Sequence, residues 1–289
     1  MHPRAGPVTT TSATAPATTE RRWRSLVTIY RATGRTAVLQ AIQYRVPLFL
    51  MMAALLTEPV VYLVVWRSVA RESGGSVDGF TEGRFAAYYI VWTFVRQTSQ
   101  FGTGMGWEQL IRSGDLNKWL LRPMHPIHDQ LAGSPAFSLV QIFLWVPIGV
   151  PLVLIFRPDT HTTPLQVVAF PLTILMALVI GVLTNAVIGF TAFWLTRIRA
   201  IVNVVWTMSL LLSGRLVPVE LLPSWARAIS SVLWFRWIMD FPITTLIGPT
   251  SGRDILIGLG MQALWIGLTT LGVRTIWRRG VRRFGAVGG

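Results

Sequence analysis

Few residues in this chain could do chemistry, and most of those stand alone. The densest cluster is His125, His128 and Asp129, which offers two imidazoles and one carboxylate within five residues. A structural zinc site takes four such ligands. No fourth lies near, so these three read as solvated or lipid-facing polar residues. Lys118 is the only lysine. A phosphate-cradling loop needs a lysine followed by Ser or Thr, whose hydroxyl takes magnesium. Lys118 is followed by Trp119, which excludes nucleotide hydrolysis through such a loop. The glycines between Glu72 and Ser76 read as a flexible turn. Neither an HExxH pair nor a GxGxxG after a strand occurs. With no cysteine there is no disulfide, thiolate metal site or cysteine nucleophile. No catalytic residue, metal ligand or cofactor is therefore assigned to this chain.

The elements that would have to position any reactive group are apolar. Of 289 residues, 52% are hydrophobic and 13% charged, against roughly 25% charged in an ordinary globular domain. Mean hydropathy is +0.52. A net charge of +14 would suggest nucleic acid in a soluble chain, but here the arginines cluster at the edges of apolar runs, as membrane flanks do. The expected partner is lipid and not nucleic acid. A span needs about 20 apolar residues, and six candidates run near 46–68, 84–104, 132–156, 165–195, 200–216 and 253–275. The expected fold is an all-α integral membrane protein with six transmembrane helices, occupying residues 46–276.

Among the polar residues inside those runs, Glu58, Arg96 and Asn185 bear most on function. Glu58 lies midway along the first and Arg96 at comparable depth in the second. A carboxylate there costs roughly 2.5–3.5 kcal/mol unless it faces protein or water. At 1.5 Å per residue the two lie about 18 and 12 Å from the same face, close enough for long side chains to meet. An ion pair or a shared polar contact at a subunit interface is expected, acting as a structural lock, a substrate-facing group or a proton relay. Asn185, in the fourth run, is expected to bond helix to helix.

The flanking segments complete the organisation. Residues 1–19, rich in Thr, Ala and Pro with one charge, read as a disordered tail. Over 20–45, Trp23, Leu26, Val27, Tyr30, Gly34, Ala37, Val38 and Ala41 recur at helical spacing opposite Arg21, Arg24, Thr28 and Arg35. That pattern suits an amphipathic helix on the membrane surface; a helix packed on protein would share it. Residues 217–250 are apolar but broken by Pro218, Pro223 and Pro242. They suit short helices that dip into one leaflet and return, with Trp225, Trp234 and Trp237 at headgroup level. Residues 277–289 form a basic tail. With both termini inside, Lys and Arg number 17 inside and 8 outside, Arg96 lying within a span. That asymmetry points to cytoplasmic termini in the cell's inner (plasma) membrane. It also puts residues 105–130 in the cytoplasm.

That loop holds an amphipathic island, Ile111 to Pro126, between two oily runs. It carries Ile111, Gly114, Leu116, Leu120, Leu121 and Pro123 in an I-x-x-G-x-L-x-x-x-L-L-x-P pattern. A later run of Ser213, Gly214, Pro218, Leu222 and Pro223 precedes the last span. In this order along six spans, the chain resembles the type-two (type V) ABC exporter permeases over about residues 20–285. The resemblance implies that the loop is a coupling helix docking on a separate ATPase subunit. Glu108, Arg112, Asp115, Lys118 and Arg122 would offer it charge, while Leu116, Trp119, Leu120 and Leu121 anchor the helix to the bilayer. Gly114 would permit a turn, Asp115 cap the second helix and Pro123 end it. ATP and magnesium would sit on that partner, and a second permease chain, identical or different, would complete the pathway. An ion-coupled secondary transporter or a structural subunit of a membrane complex is the alternative. The former would need paired broken helices or coupling acids, and Glu58 is the one acid away from the ends of the spans.

Overall fold

The computed structural model describes residues 19–54, 56–99, 103–122, 124–160 and 162–287, with side chains from 27 to 284. The expected disordered tail, apart from Thr19, lies outside the described residues, as do Pro123 and the side chains of Trp23 and Leu26. Helix α1, Thr19–Gln43, runs along the helix formed by Ile127–Phe156. Small residues make that approach: a Cβ on Gly34 would meet Ala136 Cβ at 3.5 Å, and one on Gly133 would meet Ala37 Cβ at 3.8 Å. Side chains of this size let helix backbones come close in lipid.

The first long apolar run is interrupted. Helix α2 covers Arg45–Ala54 and α3 covers Thr57–Glu72. Pro59 explains the interruption, since it has no N–H to give the preceding turn and its ring crowds that turn's carbonyl. Thr57 Oγ1 donates to Ala54 O at 3.1 Å across the gap. Glu58 thereby falls in the first turn of a helix, the end where a carboxylate is favoured by the helix dipole. Two short strands, β1 (Ser76–Val77) and β2 (Phe80–Thr81), pair antiparallel around Asp78 and Gly79. Both turn residues have positive φ, 45° and 81°, as a tight two-residue hairpin requires.

Helix α4, Glu82–Ser99, is the centre of the bundle. Phe85, Tyr88, Tyr89, Trp92 and Val95 are fully buried, with α3, α8 (Pro164–Phe190) and α12 (Asp240–Ile247) packed around them. Helices α5 (Met105–Arg112) and α6 (Leu116–Leu120) lead to α7, Ile127–Phe156. One side of α7 leaves Phe143, Leu154 and Ile155 exposed, as a lipid-facing helix does. Helix α8 starts with a capping box. Gln166 N donates to Thr163 Oγ1 at 3.4 Å and Thr163 N to Gln166 Oε1 at 2.7 Å, with Pro164 at the first position.

After α9, Arg199–Leu212, the chain turns at Ser213 and Gly214 into short helices α10 (Ser224–Val232), α11 (Trp234–Ile238) and α12. The three tryptophans there part company. Trp225 is exposed, but Trp237 is buried, donating to Ser231 O at 3.1 Å, and Trp234 packs on Trp265 at 5.3 Å. Trp237 is thus covered by protein, while Trp234 is partly buried beside the core. Helix α13, Gly252–Val287, does not stop near 275 but carries the basic segment as helix, since arginine is a good helix former and no proline intervenes.

Among the described residues, four stretches are long and apolar enough to cross a membrane: Arg45–Glu72, Ile127–Phe156, Pro164–Phe193 and Gly252–Phe284. The chain is a helical, multi-pass membrane protein by these spans. Helix α4 falls short because it carries Glu82, Arg84 and Arg96, and α9 because 14 residues rise only about 21 Å. For α4 the cause is burial: a helix wrapped by protein does not have to be soluble in lipid.

Candidate functional site

Where α3, α4 and the turn after α9 meet, three charges share one site. Arg215 holds Glu58 through a fork, Nε donating to Oε1 and Nη2 to Oε2, each at 2.7 Å. Arg96 Nη1 donates to the same Oε2 at 2.9 Å. Two-point guanidinium contacts of this kind are the strong ones. The structure thus brings Glu58 and Arg96 together and adds Arg215, at the end of the fifth apolar run, as a partner that the sequence reading did not single out. No sequence signal marks Arg215, because its position depends on where α9 ends, at Leu212, and on the turn that follows. The Arg215 guanidinium also lies 4.2 Å from the Trp206 ring centroid, and Arg96 lies 5.2 Å from that of Trp92.

Both arginines line a cavity of about 430 Å³ between α4, α7 and α9, a volume within the range of small-molecule sites. Trp92, Gln97, Gln141, Trp206, Ser209 and Ser213 share the lining. Glu58 does not line it and sits behind the guanidiniums.

The second site is the α5–α6 segment, and it is mounted on α8. Asn185 Oδ1 accepts from Gly104 N, so Asn185 ties a loop where a helix-to-helix bond was expected. Gly104 has φ +73°, and a Cβ on it would lie 2.7 Å from Gly189 N and 2.9 Å from Gly189 Cα. Only glycine satisfies both demands. Trp107 then packs on Phe190 at 4.9 Å, and Ile111 and Leu116 are buried in the same cluster. The expectation that Leu116 anchors the segment to lipid is corrected: it is buried against protein, while Leu121 is 88% exposed.

Gly114, at φ +78°, makes the turn between the two helices. Asp115 does not cap α6; its carboxylate takes Lys118 Nζ at 2.6 Å and Ser113 Oγ at 2.8 Å. The lysine contact, first, and the serine hold this carboxyl below the usual range. Glu108 is buried, 3.4 Å from Arg112 Nη1. The charges this segment leaves outward are therefore Arg112, Lys118 and Arg122, the last lying 4.3 Å from the Trp119 ring centroid. Met105, Glu108, Gln109 and Arg112 edge an open groove of about 460 Å³.

His125 and His128 have separate occupations. His125 Nδ1 accepts from Ile127 N at 3.1 Å, and its ring sits 4.4 Å from that of Trp277 on α13. Burial, then the charge of His128, pushes its pKa down to about 4. The Tyr30 hydroxyl of α1 lies 2.9 Å from His128 Nδ1. Among the described residues no group of three or more such side chains could hold a metal ion.

At the other end of α4 the segment after α9 is pinned by a cluster the sequence did not expose. Trp66 Nε1 and the Tyr89 hydroxyl both donate to Leu216 O, at 3.0 and 2.8 Å. Arg84 Nη2 reaches Glu220 at 2.8 Å. The Tyr88 hydroxyl lies 2.8 Å from Gly214 O and 2.9 Å from Asp240 Oδ1. Asp240 is fully buried, its Oδ2 lying 3.4 Å from Arg236 Nε without hydrogen-bond alignment.

With this geometry established, comparison with known protein families gives a match. A family described as "ABC-2 family transporter protein" covers residues 56–288. No curated protein and no solved structure matches the chain.

Proposed function

The chain belongs to the ABC-2 transporter family, and from that premise we propose that it is the transmembrane permease subunit of an ATP-driven exporter. Its force comes from separate ATPase subunits, which bind ATP and magnesium and carry the catalysis. They grip α5 and α6 through Arg112, Lys118 and Arg122, with Gly114 setting the turn and Asp115 and Glu108 holding the cations in place. The observation that carries this reading is the mounting of α5 on α8 through Gly104, Asn185 and Gly189. A helix that merely floated on lipid would need no such joint. A joint of backbone against backbone transmits displacement, because packed interiors yield little.

In this reading the chain crosses the inner (plasma) membrane six times. The buried α4 serves as the second span and α9 with the turn after it as the fifth. The arginine asymmetry supports a cytoplasmic side for both termini and the 105–122 segment, with α1 at the interface beside α7 and residues 217–250 as the external re-entrant segment. One such chain is half of a pathway, completed by a second permease chain, identical or different. Motion of α5 carries α8, and the cavity between α4, α7 and α9 changes shape with it.

The test is a pull-down in mild detergent. Lys118→Glu combined with Arg122→Glu is expected to insert as wild type and to release the ATPase. Retention of the ATPase by a double variant with both cations reversed would defeat the docking assignment.

A further inference from the structure

We propose that the cavity beside Arg96 and Arg215 is a recognition site for amphipathic anions, ligands with one carboxylate, phosphate or sulfate on an apolar or aromatic body. The inference rests on the permease reading only for its use as a transport site; the binding chemistry stands on the geometry itself. Glu58 carries one negative charge against two guanidiniums, which leaves a net charge of +1 among apolar helices. Such a charge is costly in a membrane interior unless it meets an anion or water.

The residues that carry the unused donors line the same space. Arg215 spends Nε and Nη2 on Glu58 and Arg96 spends Nη1. That leaves Nη1 of Arg215 and Nε and Nη2 of Arg96 without a hydrogen bond among the described residues. Both guanidiniums line the cavity, and no carboxylate does among the described residues. Two more lining residues, Trp92 and Ser213, are fully buried, and their Nε1 and Oγ have no hydrogen-bond partner among the described residues. A structural ion pair alone would not leave four polar groups short of partners around one space.

The rest of the wall is suited to an apolar body. Trp206, Val205, Met51 and Phe137 line it, and the Trp206 ring already faces the Arg215 guanidinium. A ring or chain entering there would contact aromatic carbon while its anionic head met the guanidiniums. Glu58 holds the two cations in a fixed fork, so an arriving anion meets donors already oriented, which reduces the ordering cost of binding.

The test uses the full chain in phosphatidylcholine nanodiscs, with a dansyl-labelled undecanoic acid and its uncharged methyl ester as probes. The acid is expected to bind at least about tenfold more tightly than the ester, the preference expected of a charge-assisted contact. Arg96→Gln keeps the Glu58–Arg215 fork and removes the excess charge, so it should lose about tenfold for the acid and little for the ester. Ser213→Ala should weaken the acid by a smaller factor with an unchanged melting temperature. Glu58→Gln, judged on folded protein, should bind the acid more tightly, a reversal that a merely structural role does not produce.

Phosphatidic acid added to the discs separates two sources of the same chemistry. Displacement of the probe assigns the site to anionic lipid headgroups, and retention assigns it to soluble amphiphiles. Equal affinity for acid and ester, or folded Arg96→Gln binding the acid as wild type does, would overturn the proposal. Because no ATPase is present in the discs, that outcome would leave the pull-down above to decide the permease reading independently.

Discussion

The charges around Glu58 and those around Lys118 use the same two kinds of group in opposite surroundings. Glu58, Arg96 and Arg215 are mostly covered, at 27%, 22% and 10% exposure, whereas the Lys118 side chain is 79% exposed and Asp115 46%. In water the attraction of such a pair is about 1 kcal/mol at 4 Å, and it grows several-fold as the surroundings become less polar. The inner cluster can therefore hold helices in register and recognise an anion, while the outer pair changes little about the fold and remains available to a partner. Burial, not residue type, decides which role a charge takes.

Deleting the strongest contact should break the inner cluster first. Arg215→Leu removes a two-point, charge-assisted fork from a mostly covered carboxylate and leaves Glu58 with Arg96 alone, so the largest loss is expected here. A large fall in melting temperature is expected in detergent. Arg96→Leu removes one hydrogen bond and leaves the fork, so a cost nearer about 1.5–3 kcal/mol is expected. If the two variants melt together, the fork is not the dominant contact.

The joint between α5 and α8 sits between these extremes. Gly104→Ala puts a Cβ against Gly189 backbone at 2.7 Å in a left-handed conformation, a strain of about 1–3 kcal/mol. The expected signature is uncoupling: ATPase capture persists, but ATP-driven efflux falls more than stability does. Efflux that survives at the wild-type rate would separate α5 from force transmission.

A smaller effect is expected at His125. Its folded pKa, near 4, lies below the ordinary value of about 6.5, so the unfolded chain binds more protons between those two values. Stability contributed by the neutral ring is then full above pH 6.5 and lost as pH falls toward 4. For a half-buried ring the loss is on the order of 1–2 kcal/mol. His125→Phe should flatten the slope of melting temperature against pH in that window.

Legibility in the sequence follows the same division. Apolar runs of α7, α8 and α13 stand out because they meet lipid and must be oily along their length. The central α4 was found as a run but shows a weak apolar signal, since protein covers it and lets it carry Arg84, Arg96 and Gln97. Glu58 and Arg96 could be paired by depth along two helices. Arg215 could not, because its position depends on where α9 ends and how the chain turns at Gly214. The joint of Gly104 and Gly189 was illegible for a similar reason: close approach of two backbones is a property of packing, and glycine in a loop is common. Asp115 shows the limit of a local rule, for it stands at the position of a helix cap yet Lys118 and Ser113 claim its carboxylate.

The outer pair supplies the smallest expected change in stability. Lys118→Gln breaks the contact with Asp115, but both side chains are largely in water, where such pairs add little to stability. Melting temperature should stay within error of wild type at moderate salt. Acid should act like the mutation, because the lowered pKa of Asp115 means that the bridge is present above the ordinary carboxylate range and is lost as pH falls through the lowered value. ATPase capture by Lys118→Gln should weaken, and more steeply as ionic strength rises, since the remaining cations Arg112 and Arg122 are screened over roughly 8 Å at physiological salt. A variant that instead melts early while holding its ATPase would reverse the division of labour between the two charge clusters, because the exposed pair would then be part of the fold and not of the docking face.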